Sequence, residues 1–413
     1  LAYFENDIPH LFLAWISLIL GQIKLTMPDF LFSDFPTLSK TEWLALLEKD
    51  LKGKPLSDLS WQLGHEVTID SFYHPDDQIP ARAPIAHNRP ANSWEIGELY
   101  TVDDVAATNA QILEGLNGGV QGIGLKLNRP LSSEEWSILL EGVKLDLIST
   151  NLGEDYPEKS PLRLLHQFLE LVQKNGFDPQ QLRGSLNFDP FLDWATPPLA
   201  ELKEALELVK TTLPHFRVLR LNGRYYHADV EHTGRELAMI LAKGSEYFAR
   251  LGDFGFSADE VSRSLQISIS IGKSYFVEIA KLRALRILWN NVLQAYGATL
   301  APAEIVVSFT RDSQDENIHT NMIRAATQTM SAVIGGADRI YVLPANAALG
   351  APSDAFTRRI ARNVQHLLQL ESYFDKVIDP AAGSYYIEKM MELLAKSAWS
   401  QFQQMEKEGD FKY

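Results

Sequence analysis

Between residues 94 and 370 the chain alternates eight times between a short strand-like run and a longer helical one. The strand runs are expected at 94–99, 122–127, 145–150, 182–188, 216–221, 265–271, 305–310 and 339–343. Helical patterns follow them at 102–116, 133–143, 161–175, 198–213, 231–251, 275–296, 321–334 and 354–370. Eight strand–helix units is the number that closes a (β/α)8 barrel, and parallel strands need crossovers of this length. An open doubly wound sheet is the structural alternative, but no glycine-rich nucleotide fingerprint follows any strand run. Gly118-Gly119 and Gly335-Gly336 close helical runs ahead of strands, where C-cap glycines belong.

Several strand runs carry small polar residues on one face. Gln266, Ser268 and Ser270 alternate with Ile267, Ile269 and Ile271, and Ser308 and Thr310 alternate with Val307 and Phe309. Ser185 and Asn187 repeat the pattern in the fourth run. A barrel strand is ordinarily apolar on both faces. One polar face predicts either a polar or hydrated barrel axis, or hydroxyls that bond neighbouring carbonyls in a packed core. Both readings stay open.

A barrel places its chemistry at the C-terminal ends of its strands. The fifth run is followed there by Asn222-Gly223-Arg224-Tyr225-Tyr226-His227-Ala228-Asp229-Val230-Glu231-His232. This polar cluster between a strand and a helix is the candidate site, and its Tyr225 offers a phenol, a competent general acid. His227 and His232, with Asp229 and Glu231, suggest a metal site, but their spacing is not the helical His-Glu-x-x-His pattern, and exposed loop residues are the simpler account. Arg220 in the strand points either to a bound phosphate or carboxylate or to an ion pair with a neighbouring strand. Arg358, Arg359 and Arg362 fit phosphate binding or, more simply, a solvated helix face.

Composition removes several function classes. A formal net charge of -15 repels phosphate backbones and anionic lipid, so nucleic-acid and membrane-surface partners are not expected. The absence of cysteine excludes disulfides, thiolate metal sites and a cysteine nucleophile, and suits a cytoplasmic location. The apolar stretch at 8–20 is too short to span a bilayer, and Glu5 and Asp7 stand where a signal peptide carries Lys or Arg. Residues 1–26 read as an uncertain extension ahead of a more ordinary start at Met27, with an apolar docking arm as the alternative. Residues 27–92 read as an amino-terminal arm, 93–372 as the barrel and 373–413 as a C-terminal helical segment. In the arm, a helix is expected near 38–51, with Ser39 and Glu42 spaced as a capping box. The arm's aromatics, among them Phe30, Phe32, Phe35, Trp43, Trp61, Phe72 and Tyr73, need a surface to cover: either a partner's or that of the chain's own barrel.

Four segments in order carry a resemblance: 272–289 (GKSYFVEIAKLRALRILW), 324–336 (RAATQTMSAVIGG), 358–369 (RRIARNVQHLLQ) and 377–388 (VIDPAAGSYYIE). They resemble the barrel domain of the cobalamin-dependent methylmalonyl-CoA mutases. Residues 33–75 resemble the arm of the small subunit of the two-chain bacterial enzymes, in which a large subunit does the chemistry. Catalytic members carry Gly-Tyr-His-Met-Gln-Glu-Ala-Gly after strand five, its histidine beside cobalamin and substrate. Anchored on Gly223 and on Glu236-Leu237-Ala238, Arg224 takes the place of that tyrosine, Tyr225 that of the histidine and His227 that of the glutamine. The family's Trp-Thr-Ile-Arg-Gln-Tyr strand is here Trp94-Glu95-Ile96-Gly97-Glu98-Leu99, without the arginine. The loop after strand two is short, Lys126 to Pro130. The family's substrate-clamping Arg-Asn-Thr-Tyr-Ile-Tyr has no counterpart between Asp193 and Pro197. No Asp-x-His-x-x-Gly, the motif of a separate cobalt-ligating domain, occurs up to Tyr413.

The resemblance therefore implies a degenerate site at Tyr225, with no catalytic, cofactor-binding or metal-binding residue. It implies a non-catalytic small subunit that pairs with a large catalytic subunit as a heterodimer, with adenosylcobalamin on the large chain. The assembled enzyme would interconvert succinyl-CoA and methylmalonyl-CoA. The alternative is an independent barrel enzyme or acyl-CoA-binding protein that uses the cluster around Tyr225.

Overall fold

The computed structural model describes residues 34, 36–64, 67–77, 79, 85, 89, 91–154, 160–299, 303–350 and 353–409. The apolar stretch at 8–20, Phe30, Phe32 and Phe35 lie outside them. The chain divides into two units, 1–56 and 57–413.

In the first unit, helix α1 spans Lys40–Leu51. Ser39 caps it as expected: its hydroxyl accepts from the Glu42 amide at 3.3 Å, and the Glu42 carboxylate accepts from the Ser39 amide at 2.8 Å. Trp43, Leu44, Leu47 and Leu51 fall within one helical face, yet no residue of α1 is buried.

The second unit begins with a small antiparallel pair, β1 (Trp61–Gln62) and β2 (Thr68–Ile69). Leu63, Val67, Ile69 and Tyr73 are buried in the same hydrophobic core as the barrel, and the Trp61 indole donates to the Tyr386 hydroxyl at 3.1 Å. This stretch thus covers the chain's own barrel.

The barrel then follows. Its elements are β3 (Glu95–Val102), α2 (Val105–Asn117), β4 (Gly122–Leu127), α3 (Ser133–Leu139), β5 (Ser149–Glu154), α4 (Pro161–Lys174), β6 (Arg183–Leu186), α5 (Pro190–Asp193) and α6 (Leu199–Thr212). They continue with β7 (Phe216–Arg217), β8 (Leu219–Asn222), α7 (Thr233–Asp253), α8 (Ala258–Arg263), β9 (Leu265–Ile271), α9 (Tyr275–Ala295), β10 (Glu304–Phe309), α10 (Ile318–Ile334), β11 (Arg339–Tyr341) and α11 (Ala355–Leu370). Helix α12 (Tyr385–Glu408) packs on α7 and α9. The sheet is parallel throughout, in the order β7-β6-β5-β4-β3-β11-β10-β9-β8. Only Val218 separates β7 from β8, so they are one pass of the chain: it joins β6 below and β9 above, and eight passes make the barrel. The Arg220 amide donates to the Phe188 carbonyl at 2.9 Å across that seam.

Four expectations shift. The third barrel strand lies at Ser149–Glu154, not 145–150. The apolar run ahead of it forms a turn, with the Leu147 amide bonded to the Lys144 carbonyl at 3.1 Å, after a helix that stops at Leu139. Hydropathy misplaces the strand because its inward residues are polar. Helix α7 begins at Thr233, behind a 3-10 turn over Val230–His232, and the short helices α5 and α8 carried no pattern long enough to see.

Two ion clusters fix the outer helices. Arg283 of α9 holds Asp379 through both oxygens, at 2.8 and 3.0 Å, and Glu388 of α12 at 2.7 Å. Arg286 holds Asp338 at 2.8 Å, and Asp338 accepts the Ile305 amide at 2.7 Å, which ties α9 to the start of β10.

Candidate functional site

Strand register decides which face looks inward. Glu95 and Gly97 of β3 lie beside Arg339 and Tyr341 of β11, while Ser149 and Asn151 of β5 lie beside Arg183 and Ser185 of β6. Arg220 pairs with Gln266, and Gln266 with Glu304. The axis is therefore polar, as one of the two sequence readings expected. It is filled by a continuous chain of bonds. Arg217 pairs with Glu304, and Glu304 with Arg339 at 3.0 Å. Arg339 donates to Glu95 at 2.5 Å and to the Asn151 side-chain oxygen at 2.7 Å, which also accepts from the Ser185 hydroxyl at 2.7 Å. Arg220 reaches Ser185 at 3.3 Å and pairs with Glu154, whose other oxygen accepts from Arg224 at 3.0 Å. Four arginines and three glutamates thus run from the N-terminal end of the barrel to its C-terminal mouth.

Burial by itself would push these carboxyls up. Arg220 and Arg224 overcome it at Glu154 and hold that carboxyl down at about 2, and Arg339 and Arg217 likewise lower Glu304. Tyr341 fills part of the remaining space. Its ring lies where a side chain on Gly97 would be, 2.6 Å from an ideal Cβ, so glycine is required there.

Two further clusters sit at the C-terminal end. Asp189, just past β6, accepts the Asn222 amide at 2.8 Å, the Lys243 ammonium at 2.7 Å and the Tyr247 hydroxyl at 2.7 Å. Lys243 also lies 4.8 Å from the Tyr226 ring centroid. Across the loop, His227 Nδ1 is 3.2 Å from Glu236, which shares Lys281 with Glu278.

Each sequence candidate now has a place. Gly223 opens a 3-10 turn over Gly223–Tyr226, and an added Cβ would sit 2.5 Å from Ile240 Cδ1. Arg224 turns inward to Glu154, whereas Tyr225 is 63% exposed. His227 bonds Glu236, while His232 bonds Asp229 at 2.7 Å on the exposed first turn. The two histidines engage different carboxylates, and among the described residues no three His, Asp or Glu side chains converge as a metal cage. Arg220 makes the ion pair. Arg358 and Arg362 correct the sequence reading: both are buried and paired with Glu98 and Glu114, so they form no solvated face. Arg359 lies against the Phe356 ring at 5.8 Å.

Sequence reasoning missed Glu154, Asn151, Arg339 and Lys243. The first two were lost with the misplaced strand. Arg339 opens a barrel strand, where a charged residue was the available signal, whereas Lys243 sits in a helix, where a lysine signals nothing.

The sequence profile of the methylmalonyl-CoA mutase family matches residues 117–412. The chain belongs to that family. It is 34% identical over 408 residues to a methylmalonyl-CoA mutase small subunit of Porphyromonas gingivalis, covering 92% of this chain and 65% of the relative. A small subunit of Propionibacterium freudenreichii subsp. shermanii is 30% identical, with 92% and 64% covered. A Rhizobium meliloti methylmalonyl-CoA mutase is 27% identical, with 89% and 58% covered. The chain thus spans somewhat less than two thirds of the length of these relatives. Among the described residues no helix is long and apolar enough to cross a membrane.

Proposed function

We propose that this chain is the small, structural subunit of a cytoplasmic methylmalonyl-CoA mutase. A large subunit would bind adenosylcobalamin and isomerise succinyl-CoA and methylmalonyl-CoA. This chain would contribute no catalytic residue. The observation that carries the reading is the filled axis: Arg217, Glu304, Arg339, Glu95, Arg220, Glu154 and Arg224 bond one another along it. Opening such a chain for a substrate would strand buried charges, which costs several kcal/mol for each ion left without a partner, by order of magnitude.

The loop after β8 commits Arg224 and both histidines to carboxylates of this chain: Arg224 is held by Glu154, and the Nδ1 atoms of His227 and His232 are held by Glu236 and Asp229. Tyr225, at the position of the family's histidine, is largely solvated. The named small subunits among the relatives support a partner chain. Helix α1 supports a place for it, since a capped helix of 12 residues whose apolar face is only partly buried is marginal in water by itself.

Co-expression with a large mutase subunit tests the proposal. The pair should co-purify with stoichiometric corrinoid and turn over methylmalonyl-CoA, while this chain alone should retain no corrinoid after gel filtration. Corrinoid retained by the isolated chain would refute it.

A further inference from the structure

Outside the barrel wall, β3, α2 and α11 hold four charges in a ring. Arg358 donates to Glu114 at 2.6 Å, Arg362 donates to the other Glu114 oxygen at 3.1 Å, and Arg362 donates to Glu98 at 2.8 Å. Three sides of the ring are direct hydrogen bonds. The fourth, Arg358 to Glu98, is open at 3.8 Å, too long for one.

A cavity of about 30 Å³ adjoins that open side, with Glu98, Arg358 and Gln365 in its lining. Glu98 Oε1, Arg358 Nε, Arg358 Nη1 and Gln365 Nε2 are all buried there without a partner in the chain. The orientation of Gln365 is fixed independently. Its oxygen accepts from the Trp94 indole at 3.2 Å, and an indole only donates, so the amide nitrogen is the free end. Buried polar atoms left dry are destabilising, so a bonding partner is favoured there.

We propose that this cavity binds ordered water, which closes the ring by joining Arg358 to Glu98. The charges select the ligand. An anion would meet the Glu98 carboxylate, and a cation would meet the Arg358 guanidinium. A neutral molecule must donate to Glu98 Oε1 and accept from Arg358 and Gln365, which water does with two or three partners. The space exceeds the roughly 10–15 Å³ that one water needs and is too small for an organic ligand. Helix α11 is then fastened to β3 through an exchangeable clamp, not through dry packing alone. Nothing in this assignment depends on the mutase reading.

A high-resolution crystal structure of the full chain, with a second crystal soaked in bromide, tests it. The expected result is a solvent peak within about 3.2 Å of Glu98 Oε1, Arg358 and Gln365 Nε2, with no anomalous bromide signal there. Direct contact between Arg358 Nη1 and Glu98 Oε1 with no solvent peak would overturn the proposal. A bromide peak would overturn it too, because the site would then take anions.

Discussion

Arg220 and Glu154 meet inside the barrel, 1% and 3% exposed, where the fifth pass of the sheet faces the third. Arg224 completes the pair from the mouth, so a carboxylate with no access to water is held by two guanidiniums. The charge balance at the mouth of the axis rests on this triad.

Removing one guanidinium should be costly. Arg220→Met leaves the buried Glu154 carboxylate to Arg224, and a loss of about 3–5 kcal/mol is expected by urea unfolding. Adding Glu154→Leu to that variant should recover much of the loss, because no buried carboxylate then remains and Arg224, 22% exposed, can turn to water. A double variant no more stable than the single one would contradict this account.

The same triad gives an acid dependence. The Glu154 carboxyl stands at about 2 in the folded chain against 4.5 when unfolded, so the unfolded state binds the proton first as pH falls. Its contribution, on the order of 3 kcal/mol, is complete above pH 4.5 and is lost progressively toward pH 2. Urea midpoints measured from pH 5 to pH 3 should fall less steeply for Glu154→Gln than for the native chain. Equal slopes would show that Glu154 is not a source of the acid sensitivity.

Gly97→Ala should destabilise by about 1–3 kcal/mol, because the new methyl meets the Tyr341 ring at 2.6 Å. Tyr341→Ser in the same chain should relieve the clash. The coupling energy of the double-mutant cycle reads this directly, and its sign should favour the pair.

Tyr225→Phe in the assembled enzyme should leave turnover nearly unchanged, given a side chain 63% exposed. A fall of about 100-fold or more, the scale of a lost general acid, would make Tyr225 catalytic.

Leu44→Asp with Leu47→Asp in α1 should cost the isolated chain no more than about 1 kcal/mol, since both side chains are only partly buried. Capture of the large subunit should weaken at least tenfold in the same variant. Unchanged capture would mean that α1 does not hold the partner.

Much of the barrel was legible. Strand boundaries at 122–127 and 265–271 agree with the observed β4 and β9 to the residue, and the Ser39–Glu42 cap is present. The alternation of Gln266, Ser268 and Ser270 with isoleucines put polar side chains on one face, because a period of two places every second side chain on one side of a sheet, but it left open whether that face lined a polar axis. The site was less legible. Tyr225, singled out by alignment position, faces solvent, while its neighbour Arg224 turns to the axis, a difference that the backbone turn after Gly223 sets.

The sequence by itself determined the eightfold strand–helix rhythm, one polar face on several strands and the family, since each is written in local spacing or in ordered motifs. Only the tertiary structure decided which charges meet. Arg220 and Glu154 are 66 residues apart, and Arg362 and Glu98 are 264 apart. Glu154 looks inward at all only because the register between β4 and β5 slips after Gly124, with Gly153 at φ +80. A one-residue slip turns a side chain to the opposite face of a sheet. Its partner is then whatever the closure of the barrel brings opposite.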